Sequence, residues 1–313
     1  MNNPFRVIFM GTPDFAVPCL KALTECNCVV DLVVTQPDRP KGRGRRVESP
    51  PVKQAADLLG YEVIQPEAVN TDDFAKMIAD RSPDLLVVVA FGHILPKRIL
   101  EIPGYGSVNI HASLLPAYRG PAPIQWAVIN GETETGVTSM LMDKGLDTGE
   151  ILLFEKLPVL PDDTAGSLHD RLAAVAARVL IKTIDAIRSG TVRPLTQNHA
   201  QATYAPMLKK ADGRIDWTKP AEEIERFIRG MTPWPGAFTF MNSKRIKIFH
   251  GRVCSLTESH APGTVIPGFD GELRVACGRD ALCILELQAD SGKRMDTEQF
   301  LKGQKIPLET VFA

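Results

Sequence analysis

Two polar side chains, Asn109 and His111, stand two positions apart in the strand-like segment Ser107–His111. Side chains at this spacing point to the same face of a strand. An amide and an imidazole on one face can both donate hydrogen bonds to a tetrahedral oxyanion. The pair therefore suits a reaction in which negative charge develops on an oxygen atom.

Such a pair also needs a carboxylate that orients or charges the imidazole, or that passes a proton along. Asp147 is the natural candidate, because it lies in a Gly-rich turn just after the predicted strand 136–142. No Ser, Cys or Lys nucleophile accompanies the three side chains, which favours direct transfer from a bound donor to an amine or hydroxyl. A simpler interpretation stays open, since a single Asn or His is more often a core or capping residue and Asp147 could belong to a simple turn.

The first part of the chain alternates short apolar runs with helical patterns, which indicates an α/β fold with a doubly wound, mostly parallel, Rossmann-like sheet. The run at 85–90 is continuous and β-branched, as expected of a strand covered on both faces. The predicted strands are 6–10, 29–35, 85–90, 107–111, 136–142 and 151–158, and the predicted helices are 14–25, 51–59, 71–82 and 164–189. Carboxyl ends of parallel strands are where such sheets bind ligands, so Asn109 and His111 are well placed.

The composition changes after Gly190, and three segments are predicted. Residues 1–190 form the catalytic domain, residues 191–210 form a linker with little periodicity, and residues 211–313 form a second domain. In that second domain, a helix at 220–231 precedes about five short strands, with Asn242 and Ser243 placed for a hairpin turn. This spacing predicts a small C-terminal β-barrel of the OB type.

Composition excludes several classes of protein. The chain has 313 residues, 44% of them hydrophobic, and a net charge of −1, which argues against a globally basic nucleic-acid binder. No apolar run is long enough to span a bilayer, and Met1-Asn-Asn-Pro leads into a strand rather than a secretory leader. The six cysteines show no paired spacing, so we expect reduced thiols and a cytoplasmic protein.

Missing motifs narrow the chemistry further. Gly11-Thr-Pro-Asp14 follows the first strand where a dinucleotide fingerprint would need Gly-x-Gly-x-x-Gly, so NAD is disfavoured. The chain also has no NTPase phosphate loop, no Gly-x-Ser-x-Gly elbow and no paired metal-ligand motif. We therefore expect metal-free chemistry.

The string from Asn109 to Gly120, followed by Leu146-Asp-Thr-Gly149, resembles the active-site signature of folate-dependent formyltransferases. Further resemblance lies in Phe9–Phe15, Thr35–Gly44, Thr203-Tyr-Ala205, Asp212–Trp217 and Pro233-Trp-Pro235, and thus extends over nearly the whole chain. It implies that Asn109, His111 and Asp147 are catalytic and that no covalent enzyme intermediate forms. It also implies that 10-formyltetrahydrofolate is the formyl donor and that a turn contacts it, formed by Ser113, Leu114, Leu115 and Pro116.

A cluster of cations interrupted by glycines follows the second predicted strand. It comprises Arg39, Lys41, Arg43, Arg45 and Arg46. Such runs are usually solvated loops, but flexible Arg and Lys side chains also bind phosphates without any global positive charge. The resemblance implies that Lys41, Arg43, Arg45 and Arg46 bind the acceptor, methionyl initiator tRNA, whose free α-amino group would receive the formyl group for translation initiation. A second basic stretch, 244–252, fits either an RNA-binding strand or a solvated one.

Three alternatives remain open at this point. The same chemistry could act on a nucleotide-linked amino sugar, although a sugar acceptor needs neither the barrel nor the arginine loop. A non-catalytic RNA-binding module is disfavoured because Asn109, His111 and Asp147 are all present. A nicotinamide oxidoreductase lacks its glycine fingerprint. We further expect a monomer with no membrane association.

Overall fold

The computed structural model describes residues 4–41 and 46–313. They form two compact units. The first contains the described residues up to Gly120 together with Glu134–Pro158 and His169–Ala205, and the second contains Pro121–Thr133, Val159–Leu168 and Pro206–Ala313. The domain limits proposed from the sequence, at residues 190 and 210, stay a prediction.

The first unit is built on a seven-stranded sheet. Its seven strands are β1 (Phe5–Gly11), β2 (Cys28–Val34), β5 (Val63–Ile64), β6 (Leu85–Val89), β7 (Ser107–His111), β8 (Glu134–Leu141) and β9 (Ile151–Pro158). Between β2 and β5 in the chain, β3 (Arg39–Lys41) and β4 (Arg46–Glu48) form a separate two-stranded sheet. The order in the sheet is β5-β2-β1-β6-β7-β8-β9. The five neighbouring strands β5, β2, β1, β6 and β7 are parallel to one another, whereas β8 is antiparallel to both β7 and β9.

The helices are α1 (Val17–Ala22), α2 (Pro51–Leu58), α3 (Asp72–Asp80), α4 (Lys97–Leu100), α5 (Pro123–Ile129), α6 (Ala165–Arg188), α7 (Ala221–Met231) and α8 (Thr297–Gly303). The helices predicted at 51–59, 71–82, 164–189 and 220–231 are confirmed, whereas the first predicted helix differs and α4, α5 and α8 lie outside the predicted ranges. The continuous helix predicted at 14–25 is instead a short α1 between two 3₁₀ turns. Pro18 lacks a backbone N–H and so belongs at a helix start, and the Thr24 hydroxyl donates to the carbonyl of Lys21, which competes with continuation of the helix.

The central strand of the first unit has the burial that its sequence predicts. Every residue of β6 is buried, because α/β sheets of this kind are covered on both faces. The stripe along α6, including Leu172, Val175 and Val179, is likewise buried. These two elements confirm that apolar periodicity located the core.

The arginine loop expected after the second predicted strand is flanked by two short strands that pair with each other, so the expectation of an irregular loop was wrong for those residues. Arg39 pairs with Glu48 and Lys41 with Arg46 in an antiparallel β3–β4 ladder. Strands of three residues are too short to show an alternating apolar pattern, and a composition rich in Pro, Gly and Arg is more typical of a loop than of a strand. The base of the hairpin is fixed by Asp38, whose carboxylate accepts hydrogen bonds from Ser49, Lys53 and Gln65.

The second unit contains an antiparallel sheet that curls into a barrel-like shape. Its strands are β10 (Ala237–Met241), β11 (Lys244–Cys254), β12 (Val265–Ile266), β13 (Leu273–Ala276), β14 (Ala281–Ala289) and β15 (Met295–Asp296). The order is β10-β11-β14-β13-β12, with β15 also beside β14. Residues 309–313 connect the two edges, because Val311 bridges to Thr264 next to β12 and Phe312 bridges to Met241 of β10. The predicted α/β plus small β-barrel fold class is confirmed.

Local turn chemistry in this unit also agrees with the sequence. Asn242 and Ser243 have φ values of 48° and 63°, as the two central residues of a tight type I′ hairpin require. Helix α7 buries Ile224 and Ile228 in the unit's apolar core, whereas α8 and β15 were not predicted. Among the residues that the structure describes, no helix is long and apolar enough to cross a membrane.

Candidate active site

Strand β7 holds the first two candidate residues. It lies between β6 and β8, with Asn109 opposite Val88 on one side and His111 opposite Thr138 on the other. Hydrogen bonding on both sides fixes the backbone of β7, so the directions of these two side chains are determined by the sheet.

The structure brings Asp147 to the same place. Its Oδ1 lies 3.5 Å from the Asn109 amide nitrogen, and its Oδ2 lies 3.7 Å from His111 Nδ1. The backbone N–H of Gly120 donates to Oδ2 at 2.8 Å. The side chains of His111 and Asp147 are only 8% and 13% exposed, so a carboxylate and an imidazole meet in a site from which most water is excluded.

The loop that carries Asp147 reaches the site by an unexpected route. Because β8 is antiparallel, residues 142–150 leave the sheet beside the start of β7, and they must fold back to bring Asp147 to Asn109 and His111. Two glycines permit this path: a Cβ at Gly149 would stand 1.7 Å from the Leu141 carbonyl oxygen, and one at Gly145 would stand 2.0 Å from Thr148 Oγ1. Asp147 itself has φ 53°, a left-handed conformation that Asp tolerates better than most residues.

A backbone carbonyl fixes the proton on the His111 ring. His111 Nε2 lies 2.9 Å from the carbonyl oxygen of Tyr118. A carbonyl only accepts hydrogen bonds, so Nε2 carries a proton, and Nδ1 is the nitrogen that faces Asp147. In the neutral ring Nδ1 would present a lone pair to the carboxylate, whereas in the imidazolium it would present a donor.

The turn predicted to contact folate is held mainly by internal bonds. The Ser113 hydroxyl donates to the Ala117 carbonyl at 2.6 Å, and Ser113 is fully buried. The hydroxyl of Thr138 accepts from the backbone N–H of Leu115 at 3.1 Å and donates to the Ser113 carbonyl at 2.6 Å. Ser113 and Leu115 therefore stabilise the turn from inside.

Apolar side chains of the turn and of the Asp147 loop are of the kind that a flat heteroaromatic ligand contacts. Leu114 and Pro116 are half-buried, and Leu146, next to Asp147, is exposed. In the loop after β6, the Nε2 atom of His93 is buried and has no hydrogen-bond partner among the described residues. Apolar side chains of this kind can contact the flat face of a pterin ring, and an imidazole nitrogen can bond to its polar edge atoms.

The predicted RNA-binding loop is described only at its ends. Arg43 and Arg45 lie outside the described residues. For Lys41 and Arg46 only the backbone is described, and it pairs across the β3–β4 hairpin. Their proposed contact with RNA stays a prediction.

The second basic stretch, 244–252, lies in β11, and two of its arginines contact side chains of the same unit. The Arg245 guanidinium lies 3.7 Å from the centroid of the Phe238 ring, and Arg252 pairs with Glu272 at 3.2 Å. Arg294 neutralises Glu286 and holds the pKa of that carboxyl below its usual value. These contacts lie within the second unit, and RNA binding by residues 244–252 stays a prediction.

All six cysteines are free, and burial raises the pKa of the Cys19 thiol to about 12. Over residues 4–41 and 46–313, no group of three or more His, Cys, Asp or Glu side chains is arranged to hold a metal ion.

Two site groups were missed by reasoning from residue types. They are the carbonyl of Tyr118 and the N–H of Gly120, which touch His111 and Asp147 respectively. Both are backbone groups, and backbone groups leave no residue-type signal. The only available indication was the position of Tyr118-Arg119-Gly120 within the string that resembles the formyltransferase signature.

Two family models together match most of the chain. The family model Formyl transferase matches residues 5–184, and Formyl transferase, C-terminal domain, matches residues 207–305. Methionyl-tRNA formyltransferase of Desulfotalea psychrophila is 52% identical over 99% of this chain and 96% of its own length. The protein of the same name from Citrifermentans bemidjiense is 50% identical over 96% of this chain and 94% of its own length.

Solved structures share the fold. An N-formyltransferase of Helicobacter canadensis, in complex with folinic acid and dTDP-3-aminofucose, superposes with a TM-score of 0.64 at 20% identity, covering 90% of this chain and 99% of its own. HypX of Aquifex aeolicus with tetrahydrofolic acid gives 0.61 at 16% identity, covering 98% of this chain and 51% of its own. At these identities the likeness concerns the fold alone. The resemblance noted from the sequence is confirmed by the family models and by the relatives: the chain belongs to the formyl transferase family.

Proposed function

We propose that this enzyme transfers the formyl group of 10-formyltetrahydrofolate to the free α-amino group of methionyl initiator tRNA, for translation initiation. The observation that carries the proposal is the approach of one largely shielded carboxylate, that of Asp147, to both Asn109 and His111. The acceptor is inferred from relatives that are 52% and 50% identical to this chain over nearly its whole length and whose names give methionyl-tRNA as the acceptor.

The reaction is a direct acyl transfer. The α-amine nitrogen forms a bond to the formyl carbon, and the tetrahedral intermediate then breaks its bond to N10 of the folate. The amine loses a proton, and the departing N10 gains one. The enzyme therefore has to stabilise one oxyanion and move one proton.

Asn109 supplies a donor for the oxyanion. Its side-chain amide is held on β7 between two hydrogen-bonded neighbours and needs no rearrangement to act. Preorganised donors of this kind stabilise developing charge more than solvent does.

His111 acts beside it as a cation. With Nε2 donating to Tyr118, a proton on Nδ1 points toward the region between the ring and Asp147. Such an imidazolium stabilises the oxyanion electrostatically and can return a proton to the leaving nitrogen.

Asp147 completes the proton path. The bond from the Gly120 N–H fixes Oδ2 without neutralising the carboxylate. During the reaction the carboxylate stabilises the imidazolium form of His111 electrostatically, and it accepts the proton of the attacking amine, through water. Asp147 has a left-handed backbone, so the loop aims this side chain at a single place.

Folate would bind against the turn at Ser113–Pro116, where the side chains of Leu114 and Pro116 would contact it. Leu146, which precedes Asp147 in the chain and is exposed, offers a further apolar side chain. Ser113 and Leu115 would contribute by shaping the turn rather than by touching the ligand with their side chains, since both are buried. The choice of the 10-formyl form rests on the resemblance of the Asn109–Gly120 string to the active-site signature of folate-dependent formyltransferases.

The RNA would contact the basic segment of the β3–β4 hairpin through Lys41, Arg43, Arg45 and Arg46. Asp38 anchors the base of the hairpin, and its bonds from Gln65 and Lys53 hold the pKa of its carboxyl below the usual value. A firm base with cations beyond it suits phosphate binding, which needs no global positive charge. We further propose that the enzyme is cytoplasmic, monomeric and free of metal.

The proposal is tested by offering 10-formyltetrahydrofolate together with one acceptor at a time and following tetrahydrofolate release. The acceptors are methionyl initiator tRNA and a nucleotide-linked amino sugar. Release with the tRNA alone is the expected result. Release with the sugar alone would keep the chemistry and refute the tRNA acceptor, and no release with either would refute the transferase proposal.

A further inference from the structure

We propose that residues 195–205, which we name the brace, position both His111 and Asp147, and that Gln197 and Thr203 are the positioning residues. The inference rests on the proposed function, and it concerns a segment whose composition predicts only a linker. All the contacts that carry it lie within the first unit.

The brace begins as an extension of the sheet. Leu195 and Ile151 exchange both backbone hydrogen bonds, at 2.9 and 2.8 Å, at the start of β9. The backbone at 195 is therefore fixed to the strand that follows the Asp147 loop. This brings Gln197 next to the loop itself.

Gln197 holds the backbone of the Asp147 loop. Its side-chain amide donates to the carbonyl of Asp147 at 2.9 Å and to the carbonyl of Gly149 at 2.7 Å. Gln197 is only 4% exposed, so water does not readily replace these two bonds. Because Asp147 has a left-handed backbone, a partner on its carbonyl fixes the direction of its carboxylate.

Arg119 determines which way round the Gln197 amide lies. The guanidinium donates to Gln197 Oε1 from Nε at 3.2 Å and from Nη2 at 2.6 Å, and Arg119 is 2% exposed. A guanidinium has no acceptor, so it must face the amide oxygen, and the NH₂ group must face the two loop carbonyls. A carboxylate at 197 would satisfy Arg119 but would repel both carbonyl oxygens.

Thr203 holds the other half of the site. Its hydroxyl accepts from the N–H of Tyr118 at 2.8 Å, and its carbonyl accepts from the N–H of Arg119 at 2.9 Å. The Tyr118 carbonyl is the acceptor for His111 Nε2. Ala205 closes the pairing by donating to the Arg119 carbonyl at 2.8 Å. One short segment thus fixes the peptide that sets the His111 tautomer and the loop that aims Asp147.

The kinetic test uses Gln197→Glu, which keeps the acceptor for Arg119 and removes the two donors to the loop. Its matched control is Gln201→Glu, the same change at an exposed position of the brace. We expect Gln197→Glu to lower kcat by about 10²-fold, as displacements near 1 Å do, with KM for both substrates nearly unchanged and with a lower melting temperature, because two buried carbonyls lose their donors. Normal kcat would show that Gln197 serves only as a partner for Arg119, and would overturn its assignment as a positioning residue.

A second measurement needs no acceptor, so it separates failure of the brace from failure of the proposed function. Nitrogen-15 NMR of the neutral His111 ring reports which nitrogen carries the proton. We expect Nε2–H in the wild type, a mixture of tautomers in Thr203→Val, and recovery of Nε2–H in Thr203→Ser. An unchanged spectrum in Thr203→Val would refute the role of Thr203. If the wild type transferred no formyl group to the tRNA, the function would fail while this spectrum still decided the brace.

Discussion

The candidate site of the first unit and the barrel surface of the second unit hold their charged side chains in opposite ways. In the first unit, His111 and Asp147 are nearly buried and are held by uncharged backbone groups, the Tyr118 carbonyl and the Gly120 N–H. In the second unit, Arg252 and Arg294 are largely exposed and are paired with carboxylates. Neutral partners fix a group's position while leaving its charge available for a reaction, whereas paired surface charges neutralise one another.

This difference also sets how much a substitution should cost. Exposed ion pairs contribute about 0–1 kcal/mol each, because solvent screens them and two long side chains lose freedom. Groups that act in a transition state each contribute several times more to the rate than any such pair does to folding. Substitutions in the site should therefore change rates and spare stability, and substitutions in surface pairs should do the reverse.

The largest effect is expected for Asp147→Asn. The asparagine keeps the size and an acceptor for the Gly120 N–H, but it carries no charge for His111 and cannot take up a proton. We expect the single-turnover rate of formyl transfer to fall by about 10³-fold, within the range for lost acid–base catalysis, with an unchanged melting temperature. The control is Asp185→Asn, an exposed position on α6. Near-normal turnover in Asp147→Asn would contradict the proton path.

A smaller loss is expected for Asn109→Ala, which removes one oxyanion donor. Loss of such a donor lowers kcat by about 10²-fold, and the alanine leaves the β7 backbone pairing intact. Steady-state kinetics should show the loss in kcat with little change in KM for either substrate. Asn70→Ala, at an exposed position of the same unit, serves as the control. A change confined to KM would mean that Asn109 binds substrate rather than the oxyanion.

Arg43→Ala should act on the tRNA alone. Loss of one phosphate contact should weaken tRNA binding by roughly tenfold at low salt and should reduce the slope of log K against log salt by about one. Titrations of tRNA binding at several salt concentrations measure both quantities, with Arg193→Ala, an exposed arginine, as the control. Equal salt slopes in Arg43→Ala and the wild type would remove Arg43 from the RNA-binding surface.

The smallest effect is expected for Glu155→Gln in the first unit. Arg178 and Lys182 hold the pKa of the Glu155 carboxyl below its ordinary value of 4.5. A lowered folded-state pKa stabilises the fold above pH 4.5 and loses that stabilisation as the pH falls through the folded value. We expect Glu155→Gln to lower the free energy of unfolding by about 0.5 kcal/mol at pH 7, with the difference vanishing in acid. Urea titrations of the wild type and of Glu155→Gln, at pH 7 and at a pH low enough to protonate Glu155, measure the difference in the free energy of unfolding. A difference that persists at the low pH would refute the ion-pair explanation.

Apolar and type-specific patterns were enough to predict much of the fold. The buried run of β6, the stripe of α6 and the Asn242–Ser243 turn were all readable, because each depends on local residue types. The β3–β4 hairpin was not, because it is formed by backbone bonds between short strands in a segment rich in Pro, Gly and Arg, a composition typical of loops.

The site was predictable in its members but not in its construction. Asp147 was chosen because it follows a strand, as if that strand were parallel to β7. The structure has β8 antiparallel, and the loop returns to the site through close packing at Gly145 and Gly149. Gln197 could not be found, since a single polar residue in an aperiodic segment gives no sign of which carbonyls it will meet.

The central claim, that His111 and Asp147 act as one unit, is tested most directly by a double-mutant cycle on the single-turnover rate of formyl transfer. The variants are His111→Gln, Asp147→Asn and the two combined. Groups that act together lose their contribution once, so we predict that the double variant is no slower than the slower single variant, to within about threefold. Losses that multiply would show that the two side chains act independently and would contradict the account.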